Sequence, residues 1–217
     1  MIRAALSFFG GIFTFVTLGV VGIAIGIGGI FWVYGRDLPS HTSLAQYQPP
    51  IISRIYSSEG RLIDEFARER RLFTKAEDIP ALIKHAFISA EDKNFYNHPG
   101  YDVRGILSAI IDAARSGGKR LRGASTIPQQ VMKTFLLDGT RRAERKIKEI
   151  ILATRVENTL SKEQILELYL NEIFLGQNSY GVTAAAQTYF NKTLDELMPH
   201  EAAFLASLPK APSDYHP

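Results

Sequence analysis

Glu91-Asp92-Lys93-Asn94-Phe95-Tyr96-Asn97-His98-Pro99-Gly100 is the stretch from which the rest of this 217-residue chain can be read. It follows an apolar run in which Leu82, Ile83, Ala86, Phe87 and Ala90 recur at helical spacing, with Pro80 suited to the first turn. A carboxylate doublet therefore closes a helix, and an aromatic-His-Pro-Gly turn comes after it. Ionisable groups stand where the chain turns back to solvent. Gly123-Ala124-Ser125-Thr126-Ile127-Pro128-Gln129-Gln130 then brings together hydroxyls and carboxamides, which bind sugar hydroxyls and phosphate oxygens without adding charge. The same residues also read as a helix start, capped by Ser125 or Thr126 with Gln129 and Gln130 on a polar face. Both readings hold together, because a capped helix start exposes amides suited to an anion. Arg145-Lys146-Ile147-Lys148-Glu149 adds a cationic cluster and another carboxylate.

Outward from these segments the signals are mostly helical. Val103 to Arg115 forms one helix, and Glu144 to Thr159 another, with Ile147, Ile150, Ile151 and Thr154 in register. Ser161-x-x-Gln164 is a capping box before Ile165 to Leu170, and Thr193-x-x-Glu196 repeats that signature before the last helical region. Upstream, Ile52, Arg54 and Tyr56 alternate with Ser53, Ile55 and Ser57. Ser58-Glu59-Gly60 offers a turn, and Arg61 to Phe66 returns as a second strand. The expectation is a mainly α domain over 74–217, entered through a linker and small β-hairpin over 37–73.

Residues 1–36 form a cytoplasmic tip and a transmembrane anchor in this reading. From Ala4 to Gly35 no residue is charged, a run longer than the roughly 20 residues that span a bilayer. A cleaved signal peptide has a shorter apolar region and a small-x-small cleavage site, which Gly35-Arg36-Asp37-Leu38-Pro39 does not offer. Gly22 and Gly26 make a G-x-x-x-G match inside the span, and Trp32 and Tyr34 suit the interfacial belt. The net charge of +3 does not by itself select nucleic acid as a partner. The absence of cysteine excludes disulfides, thiolate zinc sites and thiol catalysis. Charge is nonetheless uneven, since Lys and Arg far outnumber Asp and Glu between Arg115 and Lys148. Outside a membrane, such a cluster suits a diphosphate on a lipid carrier, which Arg clamps bidentately and Lys meets as a point charge.

Each candidate has a blander reading. Glu91 is either a solvated helix-end carboxylate or, with the apolar stretch as a wall behind it, a group tuned for proton transfer. Asp92 can serve a ligand or accept backbone and Arg hydrogen bonds. Phe95 reads as a core anchor and His98 as a hydrogen-bonding member of the turn. Glu149 is either functional or an ordinary i,i+4 partner of Arg145. Asn171 and Glu172 suit supports for a cleft floor. Ser116-x-x-Lys119 and Ser207-x-x-Lys210 imitate the acyl-enzyme pattern of penicillin-binding transpeptidases, yet no S-x-N or K-T-G segment accompanies them.

In order and spacing, the Glu91–Gly100, Gly123–Gln130 and Arg145–Glu149 segments, followed by Lys162 to Asn171, resemble motifs of the peptidoglycan glycosyltransferases, glycosyltransferase family 51. That family includes the N-terminal catalytic domain of bifunctional, class A penicillin-binding proteins. The resemblance runs from about Ile51 to the C-terminus, and Pro128 departs from it where Thr is common. It implies a lysozyme-like fold with a membrane-proximal lobe and an inverting enzyme that polymerises lipid II into β-1,4 glycan strands, releasing undecaprenyl diphosphate. Glu91 and Glu149 would be the catalytic carboxylates, with Glu91 the general base. Asp92, Ser125, Thr126, Gln129, Gln130, Lys133, Arg141, Arg145 and Lys148 would meet substrate. The resemblance also implies a divalent cation (Mg²⁺ or Mn²⁺) at the donor diphosphate rather than a metal held by protein ligands, and no organic cofactor. Implied partners are lipid II, the lipid-linked glycan chain, the bilayer and cell-wall synthesis proteins. The catalytic domain would face outward from the inner membrane, the phosphoglycolipid moenomycin would bind its cleft, and the parent protein would continue past Pro217 into a transpeptidase. A lytic, lysozyme-like enzyme would have little use for the basic cluster. A non-catalytic scaffold would have no reason to keep Glu91 and Lys133 together with the hydroxyl-amide segment.

Overall fold

The computed structural model describes residues 2–36, 38, 44, 53–60, 62–66, 70–117, 123–137 and 142–210. The chain begins with α1 (Ile2–Gly35), whose segment Gly10–Gly35 is long and apolar enough to cross a membrane and packs none of that surface inside the protein. Two of its hydroxyls are satisfied locally, Thr14 and Thr17 donating to the carbonyls of Gly10 and Phe13. At its end, Arg36 covers the Trp32 ring, and Arg155 donates to the Gly35 carbonyl at 3.0 Å. The apolar helix is thereby joined to the helical body.

The expected hairpin forms between β1 (Ser53–Tyr56) and β2 (Leu62–Phe66), which pair antiparallel with an irregularity between Ile55 and Tyr56. A second pairing had no sequence signal: β3 (Arg70–Arg71) runs parallel to β4 (Ser179–Tyr180), more than a hundred residues away. Arg71 pairs with the Glu172 carboxylate and lies over the Tyr180 ring. Asn171 grips the Thr74 backbone through both halves of its amide, each at 2.8 Å. Gly181, at φ 81°, passes so close that a Cβ would sit 2.5 Å from the Asn171 carbonyl oxygen. Asn171 thus clamps the entry segment. Leu44 from the linker is buried in the core and Leu38 packs against it.

The helical body comprises α2 (Ala81–Glu91), α3 (Val103–Arg115), α4 (Ile127–Leu136), α5 (Arg142–Glu157), α6 (Lys162–Glu172), α7 (Val182–Phe190) and α8 (Pro199–Ser207). Helix α4 packs against both α5 and α6, and α2 packs against α8. Ile83, Phe87, Ile127, Met132, Leu152, Ile165, Leu166, Leu170 and Leu205 are sealed from solvent. Each such side chain contributes about 1.5–3 kcal/mol by leaving water. The buried stripe of α2 differs from the expected one: Ile83, Phe87 and Ile88 face inward, while Leu82 and Ala90 are exposed. Packing against α8, with Phe87 edge-on to Tyr169 of α6, turns the helix that way.

Ser161 and Gln164 form the expected capping box on α6. Thr193 and Glu196 form theirs on a single 3₁₀ turn, and α8 starts later, where the Glu201 carboxylate accepts from the Met198 N–H. Asp102 caps α3 through the Arg104 N–H, and the Asn94 amide helps hold its carboxyl below the usual carboxylate range. No residue of α3 is buried, and Val103, Leu107, Ile110 and Ile111 are exposed along it.

Candidate active site

The turn after α2 is the point on which the site is assembled. Gly100 has φ 92°, and a Cβ there would stand 2.6 Å from the Ala153 carbonyl group of α5, so only glycine lets the turn lie on that helix. The Gly100 carbonyl accepts from Thr126 Oγ1 at 2.7 Å and from Gln129 Nε2 at 3.3 Å. The start of α4 is thereby fastened to the turn, and the turn to α5. His98 Nδ1 accepts from the Gly100 N–H, which leaves the ring proton on Nε2, facing Asp92. Phe95 is buried and edge-on to His98, with the Lys162 ammonium over its ring and bonded to the His98 carbonyl. The structural readings of Phe95 and His98 are those found.

The carboxylate doublet divides into two roles. Asp92 is 6% exposed and accepts from the Ile127 N–H and His98 Nε2, both at 2.9 Å. It joins the end of α2 to the N-terminus of α4, and both of these bonds are internal. Glu91, the last residue of α2, is partly exposed and accepts from Gln130 Nε2 at 2.8 Å. The neighbours part because Glu91 ends the helix while Asp92, at φ −153° and ψ 75°, has already left it.

Among the hydroxyls and carboxamides, Thr126 and Gln129 are 2% and 1% exposed and spend donors on Gly100. In this structure both side chains serve to fasten the start of α4 to the turn. Ser125 Oγ and Gln129 Oε1 both accept from Lys146 Nζ, each at 2.8 Å. Lys146 also meets Glu149 at 3.1 Å, and Arg145 Nε approaches the other Glu149 oxygen at 3.4 Å. Lys148 does not join this cluster. Two residues beyond Lys146 it points about 200° away around α5, and it pairs with Glu144 at 2.7 Å. Lys146, not singled out among the candidate contacts, is the lysine in the cluster; the i,i+3 spacing to Glu149 was the signal that could have found it. Lys133 is exposed on α4, three residues beyond Gln130. Arg141 lies outside the described residues.

Consecutive carboxamides in the first turn of α4 therefore reach opposite sides of the site, Gln130 to Glu91 and Gln129 to Lys146. A carboxylate able to accept a proton and a cluster able to stabilise an anion are held on one short piece of helix. Glu172 lines a small pocket between α4 and α6 with Gln130, Thr134, Phe135 and Tyr169. Among the described residues no three His, Cys, Asp or Glu side chains gather as a metal-binding group. The carboxylates nearest the basic cluster, Glu144 and Glu149, are each engaged by cations. This donor set does not fit a protein-held divalent ion.

Comparison with known proteins bears on this geometry. Penicillin-binding protein 1A of Rickettsia felis is 52% identical over 190 residues, 87% of this chain and 24% of that protein. Penicillin-binding protein 1A of Neisseria flavescens is 49% identical over 200 residues, 92% of this chain and 24% of that one. A crystal structure of penicillin-binding protein 1A from Haemophilus influenzae is 31% identical, covering 77% of this chain and 15% of its own, with a TM-score of 0.39. The chain spans about a quarter of the length of the curated relatives it matches. The family model described as Transglycosylase matches residues 59–217. That match takes in α2 through α8 together with Glu91, Lys146 and Glu149, and the chain belongs to the transglycosylase family.

Proposed function

We propose that this chain is a membrane-anchored peptidoglycan glycosyltransferase that polymerises lipid II with inversion, the catalytic domain lying on the outer face of the inner membrane. The observation that carries the reading is the bridge across α4, Gln130 holding Glu91 while Gln129 holds Lys146. Glu91 accepts the proton of the acceptor 4-hydroxyl as that oxygen attacks carbon 1 of the donor sugar. The bond from carbon 1 to the diphosphate oxygen breaks on the opposite face, turning α into β. The departing undecaprenyl diphosphate leaves as an anion, so it needs charge stabilisation and no proton from a general acid. Lys146 supplies it, with Arg145 beside it and Lys133 on α4. Ser125 and Gln129 are neutral acceptors, so they hold the ammonium in place yet yield it to a phosphate oxygen without separating a charge pair. Glu149 keeps both α5 cations oriented.

Membrane attachment is supported by α1 and by the apolar residues that α3 leaves exposed. These surfaces suit a substrate whose lipid tail stays in the bilayer while its head enters the site. Relatives named penicillin-binding protein 1A support a role in a larger cell-wall enzyme. The test replaces Glu91 with Gln in the detergent-solubilised chain and follows glycan formation from labelled lipid II. A fall in turnover of at least about 100-fold is expected for a lost general base. Undiminished polymer would remove Glu91 from its role.

A further inference from the structure

Tyr169 on α6 is a buried phenol that the chemistry above leaves unused. It is 2% exposed, and its hydroxyl has no hydrogen-bond partner among the described residues. Its ring is fixed against Phe87, with centroids 6.2 Å apart and planes at 72°. Phe87 lies one turn before Glu91 on α2. Tyr169 also lines the small pocket shared with Gln130, whose amide holds Glu91. Burial first, and then the negative charges of Glu91 and Asp92, push the phenol well above its usual range. The oxygen therefore keeps its proton and remains a donor at any working pH.

An unsatisfied buried hydroxyl destabilises the fold, and Phe would fill nearly the same volume without that cost. The site has an acceptor for it, since Gln130 is the one side-chain donor to Glu91 among the described residues and a carboxylate has room for several donors. We infer that Tyr169 is a positioning residue for Glu91, its hydroxyl giving the carboxylate, through one water in the Gln130-lined pocket, the second donor that fixes its plane. A single donor leaves the carboxylate free to swing about the bond to Gln130, whereas two from different helices define its orientation toward the acceptor hydroxyl. Tyr169 keeps its proton throughout and touches no reacting atom.

The inference rests on Glu91 being the base, so the experiment separates the two. Tyr169→Phe in the full detergent-solubilised chain, assayed with labelled lipid II, keeps the ring contact and removes only the oxygen. We expect kcat to fall about ten-fold, the worth of one well-placed hydrogen bond, with KM unchanged. Tm should stay nearly level, because Phe keeps the ring contact with Phe87 and almost the same volume. In a Gln130→Ala background the same change should have a different effect from its effect alone, since both donors act on one carboxylate. Wild-type kcat in Tyr169→Phe, a fall in kcat that tracks a fall in Tm, or independent effects of the two substitutions would each overturn the assignment. Glu91→Gln runs alongside. If it is inactive while Tyr169→Phe is fully active, only Tyr169 loses its role, whereas an active Glu91→Gln removes the catalytic reading itself.

Discussion

The two walls of the site are built on opposite plans. On the carboxylate side, Asp92, His98, Thr126 and Gln129 are buried, and their polar groups are bonded inside the protein. On the cation side, the Lys146 side chain is 44% exposed and Arg145 27%, both leaning on one carboxylate. Proton transfer requires a base placed to a fraction of an ångström, and rigid placement comes from packed, fully bonded supports. Charge stabilisation acts over longer distances and must admit a bulky anion, so its groups remain at the surface. A wall that positions and a wall that attracts call for different kinds of environment.

The sharpest way to break this comparison is Asp92→Ala. It strands the Ile127 N–H and the His98 Nε2–H in the interior, and unfolding in denaturant should show a loss of about 3 kcal/mol, because hydrogen bonds to charged groups are worth about 1.5–3 kcal/mol each. Unchanged stability would mean that the carboxylate wall is not held from within. On the other wall the order reverses. Lys146→Met should lower kcat/KM for lipid II about 100-fold, as removal of one oxyanion-stabilising donor does, and leave Tm nearly in place. Lys148→Met, on the far side of α5, should stay within about three-fold of wild type, so equal losses in the two variants would erase the distinction between them.

A smaller effect is expected from Lys133→Ala. Moenomycin affinity should weaken with a stability change of no more than about 1 kcal/mol, as for other surface lysines. Isothermal titration that gives the wild-type affinity would take Lys133 out of the cleft. Smallest of all is Lys84→Met, remote from both walls. Lys84 donates to Glu163 and, as the largest influence, holds that carboxyl below its ordinary range. A lowered folded-state value adds stability above the unfolded value, and that stability is lost as pH falls through the folded one. Wild type and variant should therefore differ slightly near neutrality and converge in acid, with activity unaffected.

Much of the fold was legible because local rules carried it. The long apolar helix, the hairpin, the bounds of α3 and the capping box at Ser161 depend on composition, period and near-neighbour hydrogen bonds. Legibility ended where partners are distant in the chain. Nothing local announces that β3 pairs with β4, or that Asn171 clamps Thr74. The exposed face of α3 makes the same point, since an apolar stripe of helical period reads alike whether its partner is a protein core or a lipid surface.

For the site, sequence by itself determined which chemical groups are present and that Glu91, the hydroxyl-amide segment and the basic cluster belong to one family's pattern. It also determined the helix end that gives Glu91 a partly open position. Only the tertiary structure decided which of those groups are bonded inside the protein and which stay open to solvent. Asp92, Thr126 and Gln129 turned inward because Gly100 brings the turn against α5 and draws the start of α4 to its carbonyl. Lys146 rather than Lys148 reaches Gln129 because the packing of α5 against α4 sets which face of α5 meets it. A side chain's direction within an element is a local matter, but what lies in that direction is fixed by the elements packed around it.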